Sequence, residues 1–284
     1  MNAEHDALIE WAATAIRDAE ALIIAAGAGM GVDSGLPDFR GPQGFWRAYP
    51  PYQRLGLNFV DLANPRWFRD DPSLAWGFYG HRFHLYRATL PHSGFAILKK
   101  WADRLPHGAF VFTSNVDGHF QRAGFAEECV VECHGSIHWL QCTGRCGSDA
   151  WPVDLATMTL IDLDEDSMRS RAPYPSCPAC GALARPNILM FGDWQWDSSR
   201  AATQELRLEA WLGEVASSRL VIVECGAGTA VPTVRWFSEN TAAATGATLI
   251  RINVREPDAP PDQIELAMGA REALEAIDRL VSSG

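Results

Sequence analysis

The residues able to do chemistry in this 284-residue chain collect in a few short runs. The first is Gly27-Ala28-Gly29-Met30-Gly31-Val32-Asp33-Ser34-Gly35-Leu36-Pro37-Asp38-Phe39-Arg40-Gly41, directly behind the apolar segment 21–26. A buried strand that opens into glycines presents bare backbone N–H groups at a sheet edge, an arrangement suited to a pyrophosphate. The run departs from the dehydrogenase fingerprint. Val32 stands where a third glycine is wanted, and Phe45-Trp46-Arg47 lies where the acidic ribose ligand belongs. Instead, Asp38, Phe39 and Arg40 put a carboxylate, an aromatic face and a guanidinium side by side, a combination that can close over a cofactor.

The cysteines form a second group. Cys142-Thr143-Gly144-Arg145-Cys146-Gly147 and Cys177-Pro178-Ala179-Cys180-Gly181 are knuckle-like pairs, each with a glycine after its second cysteine. There a tight turn aims backbone amides at thiolate sulfur, and two such pairs predict one closed, structural zinc site. A disulfide is the weaker reading for a chain read as cytoplasmic, where thiols stay reduced. Cys129, Cys133 and Cys225 read as buried packing residues. Asp162, Asp164, Glu165 and Asp166 read as a solvated loop.

Positioning these groups requires a sheet. Leu8, Trp11, Ala12, Ile16 and Ala19 repeat at helical spacing, while 110–112, 220–223 and 249–252 are short apolar runs ending in polar or glycine-rich turns. Continuous apolar strands alternating with helices predict an α/β fold, a doubly wound parallel sheet covered on both faces. Two stretches break the alternation, 45–92, rich in tryptophan, proline and arginine, and 137–184, with the cysteine pairs. Their length predicts insertions with structure of their own. The net charge of -11 argues against nucleic acid and is better suited to a lysine-rich protein segment. No long apolar run points to a membrane, so the expectation is a cytoplasmic enzyme.

Taken in order, the runs resemble the sirtuins, the NAD-dependent protein lysine deacylases. Thr113-Ser114-Asn115-Val116-Asp117 resembles the nicotinamide-pocket motif, and His134-Gly135-Ser136 the catalytic histidine segment. Arg185-Pro186-Asn187-Ile188-Leu189-Met190-Phe191-Gly192-Asp193 resembles the substrate strand, and Ile252-Asn253-Val254-Arg255-Glu256 the adenosine-ribose segment. The resemblance implies a Rossmann-like NAD-binding domain made of 1–44, 93–136 and 185–284. It implies that 45–92 and 137–184 together form a small lobe, with zinc on Cys142, Cys146, Cys177 and Cys180. NAD would be held by Gly27, Ala28, Gly29, Asp38, Phe39, Arg40, Ser114, Asn115, Asp117, Gly226, Gly228, Asn253 and Val254. His134 would be the general base, with Asn115 and Asp117 orienting the ribose and nicotinamide. Ile188, Leu189, Phe191 and Gly192 would bind the acyl-lysine protein.

Tyr79 and Arg82 share a helix face by their spacing and resemble the Tyr-x-x-Arg signature of desuccinylases and demalonylases. The other reading of Arg82 is a surface residue. Ser114, Gly31, Phe120 and Gly226-Ala227-Gly228 depart from the family pattern and remove side-chain hydrogen bonds to the cofactor. His119 is expected to face solvent. These departures leave open a mono-ADP-ribosyltransferase, an NAD hydrolase or a nucleotide-sensing module on the same fold. The run 193–197, with two tryptophans and two aspartates, reads either as a lip attracting a basic peptide or as a loop closing the core.

Overall fold

A computed structural model describes residues 3–37, 41–144, 146–159 and 161–282. Its strands, in chain order, are β1 (Ala21–Ala26), β2 (Ala109–Thr113), β3 (Val130–Glu132), β4 (Gly135–Cys142), β5 (Trp151–Pro152) and β6 (Asp162–Asp164). They continue as β7 (Arg169–Arg171), β8 (Ala184–Ile188), β9 (Leu220–Cys225), β10 (Thr248–Ile252) and β11 (Ile264–Leu266). Six of them form one sheet in the order β11-β10-β9-β1-β2-β3, with every neighbouring pair parallel.

The sequence of β1, Ala-Leu-Ile-Ile-Ala-Ala, has no polar face because both faces are covered. Side chains alternate across a strand, so Leu22, Ile24 and Ala26 pack on the helices 3–18, 93–104 and 270–281. Ala21, Ile23 and Ala25 pack on the helices 199–214 and 233–245. The fold class read from the alternating pattern is the one observed.

The two stretches that break the pattern share a core. Phe45, Tyr49, Tyr52, Trp76, Phe78 and Phe83, all from 45–92, pack with Ile137, Leu140, Met158, Ile161 and Ala184 from 137–184. Around the second stretch, β5, β4 and β8 form an antiparallel sheet, with β8 extending past residue 184. The acidic run departs from the solvated-loop expectation: Asp162–Asp164 pairs with Arg169–Arg171 as a hairpin. Asp164 makes that possible, since its Oδ1 accepts the Asp166 and Ser167 N–H groups and turns the chain. No helix among the described residues is long and apolar enough to cross a membrane.

The four knuckle cysteines converge, with all their sulfurs within 4.8 Å of one another. Cys142 to Cys180 and Cys146 to Cys177 are each 3.6 Å apart. A disulfide needs about 2.05 Å. A tetrahedron with Zn–S of ~2.3 Å has edges of about 3.8 Å, so the donor set fits a structural zinc with no open position. The Gly144 N–H lies 3.2 Å from the Cys142 sulfur, an amide–thiolate contact made from between the first two cysteines.

β1 and β9 are adjacent, and the strand order runs outward from them in both directions. That topological switch point leaves a crevice at their carboxyl ends. The loops leaving the two strands touch through backbone: Gly27 N–H donates to Cys225 O at 3.0 Å, and Gly29 N–H to Gly226 O at 3.0 Å. Gly226 has φ +64°, and a Cβ there would stand 2.4 Å from backbone atoms of Gly29 and Met30. Neither the conformation nor the contact admits a side chain.

Gly226→Ala is therefore expected to destabilise the protein by about 1–3 kcal/mol, read as a lower denaturant midpoint at unchanged slope. A wild-type midpoint would contradict the contact. One zinc per chain is expected by elemental analysis, with Cys177→Ser losing both metal and folded protein, because a closed thiolate site contributes folding energy directly. Metal-free protein that stays folded would contradict that assignment.

Candidate active site

A cavity of about 970 Å3 occupies the switch point and extends toward the aromatic core of 45–92. Gly27 and Ala28 after β1, and Ala227 and Gly228 after β9, line one part of it. A Cβ on Gly27 would stand 2.7 Å from Ala227 Cα, so this floor holds backbone and no side chain larger than an alanine methyl. Gly29 and Gly226 lie outside the lining, packed against one another. Asn253 is buried and binds the loops together. Its Nδ2 donates to Ala227 O at 2.7 Å, and its Oδ1 accepts the N–H groups of Arg255 and Glu256 at 3.0 and 3.1 Å. Val254 is 64% exposed and off the cavity, whereas Glu256 lines it and accepts from the Thr229 hydroxyl. Asp38, Phe39 and Arg40 lie outside the described residues.

Ser114, Asn115 and Asp117 leave the end of β2 and line the cavity. Asn115 is fixed at both ends: its N–H donates to Thr113 Oγ1 at 3.0 Å and its Nδ2 to Gly27 O at 2.9 Å. The Thr113 hydroxyl donates in turn to Ala26 O at 2.9 Å, tying the loop to β1. Asp117 Oδ1 accepts the His119 N–H at 2.9 Å, and its carbonyl accepts His138 Nε2–H at 2.9 Å. His119 corrects an expectation, for it is fully buried. The helix 119–122 that it begins turns inward, its ring meets Phe95 edge-on at 5.7 Å, and its ring nitrogens have no hydrogen-bond partner among the described residues.

His134 lies between β3 and β4, where the parallel sheet gives way to the antiparallel one. Its carbonyl accepts Leu189 N–H at 3.0 Å, and its Nε2 lies 3.3 Å from Thr233 Oγ1. Burial is the sole cause that lowers its pKa below the ordinary imidazole value. Such a ring is neutral, and so a competent base, at physiological pH. Glu132, at the end of β3, is anchored by Arg200 at 2.6 Å, and burial pushes its carboxyl up to about 7 against that cation. Burial also raises the Cys133 thiol, which removes it as a nucleophile.

The far wall holds Tyr79 and Arg82, both lining the cavity. Arg82 is only 6% exposed, so the surface reading fails. Its Nε and Nη2 donate to Tyr86 Oη at 2.9 and 2.5 Å, and four aromatic rings, from Phe59, Phe78, Tyr79 and Tyr86, lie 5.2–5.8 Å from its guanidinium carbon. The Tyr79 hydroxyl is buried with no hydrogen-bond partner among the described residues.

Ile188, Leu189, Phe191 and Gly192 also line the cavity. Behind them Arg185 and Asp193 form a bidentate buried pair at 2.7 and 3.0 Å. Trp194 projects, 97% exposed, while Trp196 is half-buried. Asp197 spends its carboxylate on the Ala150 and Ser199 N–H groups. The run 193–197 therefore offers an indole at the cavity mouth, and its aspartates are turned inward, away from any basic peptide.

Sequence reasoning missed His138 and Thr233, whose contacts are distant along the chain, and did not single out Thr113 within its recognised motif. It missed Tyr86 as well, although its position one turn beyond Arg82 was a readable signal. Glu256 stood within a recognised motif but was not singled out.

Residues 27–223 match the sequence model of the Sir2 family. An NAD-dependent protein deacylase of Aeropyrum pernix is 34% identical over 255 residues, covering 89% of each chain. NAD-dependent protein deacylase 2 of Pyrobaculum aerophilum is 33% identical over 263 residues, 91% of this chain and 89% of that one. The solved structure of a Sir2 homologue in complex with NAD superposes with a TM-score of 0.68 at 25% identity, covering 96% of this chain and 94% of the other. With the family match spanning most of its length and the relatives nearly all of it, the chain belongs to the Sir2 family.

Proposed function

We propose that this protein is an NAD-dependent protein-lysine deacylase with His134 as general base, and that its acyl pocket takes chains ending in a carboxylate. The observation that carries the reading is the convergence of Asn115, Asp117 and His134 with the backbone floor of Gly27 and Ala28 on one cavity at the switch point. That floor, closed to any larger side chain, suits the pyrophosphate of NAD. When bound, NAD supplies an electrophilic ribose carbon and nicotinamide as leaving group.

The protein's own residues then have distinct tasks. Asn115, locked between Thr113 and Gly27, orients the ribose, and Asp117 binds the carboxamide. Leu36, Pro37 and Val116 line the cavity with apolar surface that keeps water from the reacting carbon. His134, neutral because it is buried, accepts a proton at its unprotonated ring nitrogen. Ile188, Leu189 and Phe191 offer the edge and faces against which the acyl-lysine segment lies.

The finer reading, a carboxylate-terminated acyl group, rests on Tyr79 and Arg82 lining the same cavity as His134. A guanidinium suits a carboxylate through two parallel hydrogen bonds, and aromatic faces hold its plane. The buried Tyr79 hydroxyl would gain a partner in such a ligand. The protein would act on protein substrates within the cytoplasm.

Mass spectrometry of products from NAD and a panel of acyl-lysine peptides tests the whole reading. Acyl-ADP-ribose is the expected product. ADP-ribosylated peptide, or ADP-ribose formed without peptide, would replace the reading with transfer or hydrolysis. His134→Ala is expected to cut deacylation by about 10²–10⁴-fold while NAD affinity stays within about threefold. Because burial lowers the His134 pKa, the base remains available below pH ~6.5, so the acidic limb of kcat/KM should fall on the acid side of that value. A limb on the alkaline side would contradict a buried neutral base.

Arg82→Met is expected to weaken desuccinylation by about 1.5–3 kcal/mol more than deacetylation, the range of a hydrogen bond to a charged group. Equal loss of both activities would return Arg82 to a structural role in the aromatic core.

A further inference from the structure

Among the described residues, the ring of His134 has one hydrogen-bonding neighbour, the hydroxyl of Thr233 at 3.3 Å from Nε2. We propose that Thr233 is a positioning residue for the general base: its hydroxyl donates to Nε2 of His134, which fixes the neutral ring with its proton on Nδ1. The inference rests on the deacylase reading for its consequence, but not for its geometry.

The direction of this hydrogen bond follows from the helix that carries it. Thr233 is the first residue of the helix 233–245. Further along, Ser238 and Thr245 send their hydroxyl protons back to the carbonyls of Val234 and Thr241 at 3.0 and 2.7 Å. At the first position no helical carbonyl lies four residues behind, so the Thr233 proton has no such acceptor. The lone pair of an imidazole nitrogen is the acceptor within reach.

The surroundings favour the same protonation state. The amino end of a helix carries partial positive charge, which disfavours an imidazolium beside it. Among the described residues, the charged groups lining the same cavity are Arg82, Asp117, Asp193 and Glu256. None of them contributes to the His134 shift, which comes from burial alone. Among the described residues no carboxylate is hydrogen-bonded to the ring, and a neutral hydroxyl sets its tautomer.

The turn bearing Thr233 faces the reaction, since Val231 and Val234 line the cavity together with His134. In the resting site the threonine hydroxyl therefore occupies the lone pair that a substrate hydroxyl must reach. When that hydroxyl displaces it, the substrate O–H bond breaks, an Nε2–H bond forms, and the imidazolium keeps its original proton on Nδ1. Thr233 prepares the base without entering the proton transfer.

The test reads the ring itself. Long-range proton–nitrogen NMR correlations of the imidazole, recorded across pH on wild type, Thr233→Val and Thr233→Ser, report tautomer and pKa without substrate or cofactor. The wild-type ring is expected as the Nδ1–H tautomer. Thr233→Val should mix the tautomers, since the hydrogen bond that selects one neutral form is lost. It should lower kcat by about tenfold with the peptide KM within about threefold, and Thr233→Ser should restore both.

An Nε2–H tautomer in wild type would overturn the proposal, as would an unmixed Nδ1–H tautomer in Thr233→Val or an equal loss in Thr233→Ser. If Thr233→Val fails to fold, the wild-type tautomer and the serine variant decide. A wild type that turns over no acyl peptide would instead sink the deacylase reading, leaving the NMR result standing on its own.

Discussion

Everything in this molecule that could do chemistry hangs on the approach of two backbones, the loop after β1 and the loop after β9. Gly27 and Gly29 meet Gly226 and Ala227 at distances where no Cβ fits, and the approach carries two hydrogen bonds. A parallel sheet leaves a crevice at its switch point, but only loops stripped of side chains keep that crevice open to a pyrophosphate. The same closeness aligns β1 with β9 residue by residue, so cofactor floor and central sheet are specified together.

Around that contact, polar side chains hold backbone in place. Asn253 bridges the loops after β9 and β10, Thr113 and Asn115 tie the loop after β2 to the end of β1, and Asp33 accepts the Arg271 N–H at the start of the helix 270–281. Each of these groups is satisfied by main-chain partners, which gives fixed geometry without the desolvation cost of isolated buried charge. Two pairs of buried charges are bidentate: Arg185 with Asp193, and Arg251 with Glu224 at 2.6 and 3.0 Å. Removing one partner of such a pair would leave the other exposed to the full cost of burial.

What could be read from the chain without coordinates was whatever is local. The glycine run, the cysteine knuckles and the apolar strands are signals contained within a few residues, and they led to the fold class and to the cavity. His134 was legible because a strand end followed by glycine marks it. What escaped reading depends on residues far apart in sequence. Thr233 meets His134 across 99 positions, and His138 meets Asp117 across a sheet boundary. His119 was misread as facing solvent because its burial follows from the direction of a short helix, which no periodicity encodes. The aspartates of 193–197 suggested an acidic lip, yet Arg185, read only as part of a motif, turns one of them inward.

His134 stands between β3, which belongs to the parallel sheet, and β4, whose partner β8 belongs to the antiparallel one. His134 is thereby a joint between two cores, one mostly aliphatic and one aromatic. With His134 as the proposed base, resistance to unfolding and turnover would draw on the same packing. Substitutions deep in the aromatic cluster, far from any ligand, would surface in evolution or in the laboratory as changes in turnover. The protein has in effect made its second core a tuning element for a single ring.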